Sequence, residues 1–183
     1  MINLELPKRL QVGANQARQV ATQIFRPVSR KYDLAEHEYP VELDTLKAMM
    51  EAMEDAGQAA SGATMGSGGA PKREGVSNGG NMKSLLNIIE TCWGDVGLTL
   101  SIPRQGLGNS AIAAVANDEQ MEKFGRVWAS MAITEPDFGS DSAAVSTTAR
   151  LDGDEYVLNG TKIFVTSGAR ADHIVVWATL DKS

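Results

Sequence analysis

The spacing of apolar residues changes near residue 128, and that change limits what the chain can fold into. Before it, apolar positions recur at helical intervals. Ala17, Val20, Ala21, Ile24 and Val28 follow i, i+3, i+4, i+7 and i+11, which makes one stripe along a helix. Pro27 lies inside that stripe and is expected to bend or locally disrupt the helix. Leu43, Leu46, Met50 and Met53 form a second stripe, with Pro40 before it and Gly57 as a stop signal. A third helix is predicted from about Met82 to Trp93. A fourth is predicted from about Val96 to Val115, interrupted near Pro103 and Gly106. Asn117 and Gln120 are spaced like a capping box for a short helix that Gly125 ends. Residues 58–80 are rich in Gly, Ala and Ser and read as a flexible loop. Gly66-Ser67-Gly68-Gly69 lacks both a following Gly-Lys-Ser/Thr and a preceding strand, so it does not read as a phosphate loop.

After residue 128 the period becomes two. Asp152-Gly153 and Asn159-Gly160 both tolerate positive φ and predict tight hairpin turns. They separate candidate strands Val145–Leu151, Glu155–Leu158 and Thr161–Thr166. Ser167-Gly168-Ala169 then leads to a strand over His173–Leu180 containing Ile174-Val175-Val176-Trp177. The reading is an antiparallel meander following a helical half, an α+β chain. There is no internal repeat.

Composition narrows the function classes. A net charge of -6 argues against a general nucleic-acid binder or a binder of anionic membranes, which need basic surfaces. No stretch approaches the roughly 20 apolar residues of a membrane span, and no signal peptide is visible. The expectation is a soluble, cytoplasmic protein. Cys92 is the one cysteine, which excludes an internal disulfide and points to a reducing compartment. Its neighbours Ile88, Ile89 and Trp93 suggest a buried structural thiol. His37 and His173 are too few and too far apart in sequence for a metal site. His37 beside Glu38 reads as a polar helix-end pair, and His173 as the opening of a strand.

Two segments carry candidate chemistry. Met131–Thr134 reads as a short strand that Pro136 ends. Gly139 permits a bend where backbone N–H groups can approach an anion, and Ser140 adds a hydroxyl suited to a pyrophosphate. In Thr161–Thr166, strand alternation puts Lys162, Phe164 and Thr166 on one face, an aromatic ring beside a hydroxyl that suits a planar redox ring. Spacing alone favours an ordinary amphipathic strand and a polar turn in which Ser140 and Asp141 bond the local backbone.

The order Thr134-Glu135-Pro136-x-x-Gly139-Ser140-Asp141, then Asn159-Gly160-x-Lys162-x-x-x-Thr166, resembles the acyl-CoA dehydrogenase family. Gly106-Leu107-Gly108-Asn109-Ser110, Asn117-Asp118-Glu119-Gln120 and Phe124-Gly125 are similar to the segment preceding the flavin site there. Arg26-Pro27 and Asp33 carry a weaker likeness. The resemblance implies an all-α N-terminal domain over 1–127 and an incomplete antiparallel middle β-domain over 128–183. It implies FAD as cofactor, with Met131, Ala132, Ile133, Thr134, Gly139, Ser140, Phe164, Val165 and Thr166 as contacts. Ile133 and Thr134 would face the flavin ring. Gly139 and Ser140 would approach the pyrophosphate, with Ser140 also near the acyl-CoA substrate. The Thr166 hydroxyl would bond near N5. The implied reaction removes an α-proton from an acyl thioester and moves a β-hydride to N5, giving the trans-2-enoyl-CoA. Electrons would pass to an electron-transfer flavoprotein, in a protein of lipid metabolism that forms a homotetramer or dimer. Donors at N5 and the pyrimidine edge would stabilise the reduced ring.

Some positions depart from the family pattern. Asp137-Phe138 replaces a small pair, Met131 stands where an aromatic is common, and Phe164 where Trp is common. The family's catalytic base is a glutamate on a C-terminal helical bundle, expected beyond Ser183, so Glu135 reads as structural. The alternatives are a related flavin oxidase or monooxygenase, and a non-catalytic remnant or partner subunit of a full-length dehydrogenase.

Overall fold

Pro27 has no amide hydrogen, and in a regular α-helix its ring would meet the carbonyl of Gln23. The chain absorbs this with one widened turn. Helix α1 (Lys8–Val20) runs into a π-turn at Ala21–Phe25, and helix α2 (Arg26–Leu34) continues with Pro27 in its first turn. This is the local disruption expected at Pro27. These elements belong to a computed structural model that describes residues 6–36, 38–55, 79–104 and 106–180. The Gly-rich 58–78 stretch, the side chain of Met53, and His37 lie outside the described residues.

The chain divides into two compact units, Met1–Gln105 and Gly106–Ser183. In the first, α3 (Glu42–Asp55), α4 (Gly80–Gly94) and α5 (Val96–Leu100) complete the helices, and α4 packs along α1. The core gathers Phe25, Leu43, Leu46, Leu98 and Ile102, with Val20, Ile24, Val28, Tyr32, Tyr39 and Met50 packed against it. Among the described residues, the predicted stripes through Ala17, Val20, Ala21, Ile24 and Val28 and through Leu43, Leu46 and Met50 pack at the core, which also takes in Phe25 from the π-turn, a residue outside the stripes. Gly94 lets α4 approach the π-turn, since a Cβ there would lie 2.8 Å from Ala21 Cβ. Asp95 caps α5 by accepting from Leu98 N at 2.8 Å, and it also accepts from the Ser29 hydroxyl at 2.5 Å. Cys92 is half-buried.

The second unit begins with two helices and continues as strands. Helix α6 (Leu107–Val115) is followed by α7 (Asp118–Phe124). The predicted capping box closes α7: Gln120 N donates to Asn117 Oδ1 at 2.8 Å, and Asn117 N donates to Gln120 Oε1 at 3.0 Å. Strands β1 (Ala129–Ala132), β2 (Thr148–Asp152), β3 (Glu155–Asn159) and β4 (His173–Val176) form two small sheets. β2 and β3 pair antiparallel across the Gly153-Asp154 turn, where Gly153 has φ +67°.

The α+β class holds, but two expected details do not. β1 pairs with β4 in parallel, in the register Ala129↔His173 to Ala132↔Val176, so the meander does not run through this pair. The backbone of Thr179 then bridges to Thr147 and Ala149, joining the β4 segment to the start of β2. Residues 161–166 are not a strand. Asn159-Gly160 does not turn a hairpin, because Ile163 N bonds Thr134 O at 2.9 Å instead of facing β3. Positive φ at Phe164 (55°) and Ser167 (60°) then breaks any alternation. Lys162, Phe164 and Thr166 consequently do not share a strand face.

No described helix is long and apolar enough to cross a membrane.

Candidate functional site

Helix α6 seats strand β1. Gly108 lies so close that an added Cβ would stand 2.3 Å from the carbonyl oxygens of both Ala129 and Ser130. The next residue, Asn109, donates from Nδ2 to Val127 O at 2.6 Å and accepts at Oδ1 from Ala129 N at 3.0 Å. An amide side chain that brackets Trp128 in this way holds the entry to β1 from both sides. Trp128 N donates to Asp172 Oδ2 at 3.0 Å and Trp128 O accepts from His173 N at 3.1 Å, which anchors the parallel partner. The ring of His173 meets Phe124 edge-on, with centroids 5.5 Å apart.

Past β1 the chain turns through Glu135-Pro136-Asp137-Phe138, closed by reciprocal bonds between Glu135 and Phe138 of 2.9 and 3.2 Å. Pro136 favours such a turn and cannot extend the strand. The turn directs the Glu135 side chain inward, where it is 2% exposed. There it accepts from Ser146 N (2.7 Å), Ser146 Oγ (2.5 Å), Thr147 N (2.8 Å) and Lys162 Nζ (2.8 Å). A carboxylate meeting only donors is stabilised in its charged form. The Lys162 ammonium above all, followed by Ser146 and Thr147, holds the Glu135 carboxyl far below the usual carboxylate range, against the opposing effect of burial.

Lys162 has a second task. Its Nζ also donates to Ile133 O at 3.0 Å, and its side chain is 10% exposed. Together with the Ile163–Thr134 backbone bond, these contacts bring the two motif segments side by side, through Ile133, Thr134, Glu135, Lys162 and Ile163. Gly160 contributes close packing, since a Cβ there would lie 2.3 Å from Thr147 Oγ1.

Around this junction the predicted contact residues differ in access. Met131, Ile133, Thr134 and Val165 are half-buried, whereas Gly139, Ser140 and Thr166 are exposed. Ala132 is buried and its carbonyl accepts from Trp177 N at 3.0 Å, so its side chain does not present itself to a ligand. Phe164 is 86% exposed, an apolar ring held outward on a backbone with φ 55°. Val165 and Gly168 close the following turn, with Gly168 N bonding Val165 O at 3.0 Å.

Sequence reasoning treated Glu135 as structural, which its bonding supports, but did not identify Ser146, Thr147 and Lys162 as its partners. A glutamate directly before proline was the available local signal, since Ser146, Thr147 and Lys162 lie 11, 12 and 27 positions further along the chain. Among the described residues, no group of three or more His, Cys, Asp or Glu side chains is placed to hold a metal.

An α+β chain with β1 held under α6 and tied to a Lys162-bearing segment defines a recognisable class. Residues 130–183 match the family model of the acyl-CoA dehydrogenase middle domain. The chain is similar to proteins of the acyl-CoA dehydrogenase family. It is similar to the 3-(aryl)acrylate reductase of Clostridium sporogenes, 39% identical over 121 residues, 62% of this chain and 32% of that protein. It is also similar to the acryloyl-CoA reductase (NADH) of Anaerotignum propionicum, 36% identical over 173 residues, 88% of this chain and 40% of that protein. A third relative is the CarC subunit of the caffeyl-CoA reductase-Etf complex of Acetobacterium woodii, 35% identical over 121 residues, 62% of this chain and 32% of that protein. The fold is shared with glutaryl-CoA dehydrogenase from Mycobacterium smegmatis, with TM-score 0.71, 27% identity, and 97% of this chain and 44% of that chain covered. The chain thus spans between 32% and 40% of the length of these curated relatives.

Proposed function

We propose that the protein is an FAD-dependent oxidoreductase acting on the α,β-carbons of an acyl-CoA thioester, and that this chain supplies one wall of its flavin site. The observation that supports the reading most is the buried Lys162–Glu135 tie, because it places side by side the two segments carrying the expected contacts. On this reading residues 1–127 form the helical domain and 128–183 belong to the flavin-facing β-domain.

The residues fit such a group. Phe164 is an exposed ring and would exclude water from one face. Thr166 is an exposed hydroxyl able to donate to a ring nitrogen, and Met131 and Ile133 give half-buried apolar surface. Gly139 and Ser140 are exposed and would offer their backbone and the Ser140 hydroxyl to a pyrophosphate, with Ser140 also near the acyl-CoA. When bound, FAD supplies the two-electron acceptor for the β-hydride. The residues of this chain bind and orient it, and none of them is assigned the base. The electron partner is an electron-transfer flavoprotein, consistent with the relative whose name includes Etf. The protein is expected to be cytoplasmic and homo-oligomeric.

A second reading concerns direction. The three relatives above carry the name reductase and the solved structure that shares the fold is named a dehydrogenase, so reduction of a 2-enoyl thioester or 2-enoate stands beside dehydrogenation as the reading to test. Anaerobic addition of a saturated acyl-CoA, and separately of a 2-enoyl-CoA to the dithionite-reduced protein, decides between them. Bleaching of the flavin by the saturated thioester supports dehydrogenation, and reoxidation by the enoyl thioester alone supports reduction. Response to neither opposes both.

A further inference from the structure

We propose that Lys162 and Glu135 are positioning residues for the flavin, one buried ion pair that sets the separation of the two contact segments; this rests on the flavin reading above. The geometry is specific. Lys162 Nζ reaches Ile133 O at 3.0 Å and Glu135 Oε1 at 2.8 Å, so one ammonium bonds the backbone of one contact residue and the anchor of its turn. Lys162 is itself two residues before Phe164 and four before Thr166 on the other segment. The Ile163–Thr134 backbone bond runs beside it. The Glu135 carboxylate is in turn fixed by Ser146 and Thr147 at the entry to β2, so the pair is referenced to the sheet as well as to the turn.

A buried pair is a poor source of net stability, since desolvation offsets its attraction, but it discriminates sharply between one arrangement and its neighbours. Sliding either segment by one residue would leave the carboxylate facing the wrong donors. The Phe164 backbone, at positive φ, follows directly after this fixed point, so the placement of its ring depends on it. The same cation lies beside the Ile133 carbonyl, and its charge contributes to the field at the flavin-facing surface.

The test is FAD titration of the full chain and its variants, following flavin fluorescence and the visible band of the bound flavin, with far-UV circular dichroism as the check on folding. Lys162→Met and Glu135→Gln are expected to keep the helical signal. They should weaken FAD binding about tenfold, the loss of a hydrogen bond to a charged group, and shift the bound-flavin band. Lys162→Met that folds and binds with wild-type affinity and an unshifted band overturns the proposal. Should Lys162→Met fail to fold, Ser146→Ala is the gentler variant, since it removes one donor to Glu135 and leaves the ion pair. It should weaken binding about threefold and shift the band, and wild-type values for both overturn the proposal. Wild-type chain that takes up no FAD overturns the flavin reading itself, an outcome distinct from a variant that matches a flavin-binding wild type.

Discussion

Lys162 Nζ lies 2.8 Å from Glu135 Oε1, with the lysine side chain 10% and the glutamate side chain 2% exposed. Twenty-seven positions separate the two residues in sequence, yet this contact brings the Glu-Pro turn and the Lys162–Thr166 segment to one place.

The pair makes stability depend on pH in a defined direction. Glu135 is held below its ordinary value, so its contribution is fully present above the unfolded carboxyl value of about 4.3 and is lost as pH falls toward the folded value. Urea midpoints of the wild type should fall progressively below about pH 4.3. Glu135→Gln should be less stable at pH 7 and should lose less on acidification, so that the two curves converge. Parallel curves would contradict the assignment.

Two glycines in helices should respond oppositely to alanine. At Gly13 a Cβ meets nothing closer than 3.4 Å, so Gly13→Ala should gain about 0.5–1 kcal/mol from helix propensity. At Gly108 the Cβ would stand 2.3 Å from two backbone carbonyl oxygens, so Gly108→Ala should lose about 1–3 kcal/mol through forced separation of α6 from β1. Thermal unfolding of both variants checks the contrast.

Asn109→Ala should destabilise the second unit by about 1–3 kcal/mol, because Val127 O and Ala129 N lose their shared partner. Hydrogen exchange should quicken at the Ala129 amide while leaving α1 and α4 unchanged. Uniform quickening across the chain would contradict a local clamp.

Phe164 separates stability from binding. The ring is 86% exposed, so Phe164→Ala should change stability by less than about 0.5 kcal/mol. Phe164→Gly should be neutral or stabilising, because glycine adopts φ 55° without strain. Both should weaken FAD binding. A variant that loses stability while keeping FAD affinity would make the ring structural.

The first helices were legible because burial follows the apolar stripe through Ala17, Ala21, Leu43 and Leu46, whereas α4 buries Asn87 and Thr91 and leaves Leu85 and Ile89 exposed; Asn117, Gln120 and the Asp152-Gly153 turn state their geometry locally. The parallel β1–β4 pairing was not legible, because His173–Val176 reads the same whether its partner lies before or after it in the chain. Alternation over Thr161–Thr166 misled because Lys162 and Ile163 bond Ile133 and Thr134, an interaction set by distant residues rather than by strand propensity. At the candidate site, the residue types alone read as an ordinary strand and polar turn, and the flavin surface was implied only by the family resemblance of the two motifs. The Ser146, Thr147 and Lys162 cage around Glu135 required the fold.

The most direct measurement is the visible spectrum of the purified protein after incubation with FAD and gel filtration. The account predicts a yellow protein with flavin bands and about one FAD per chain. A folded, colourless protein that retains no FAD would contradict it.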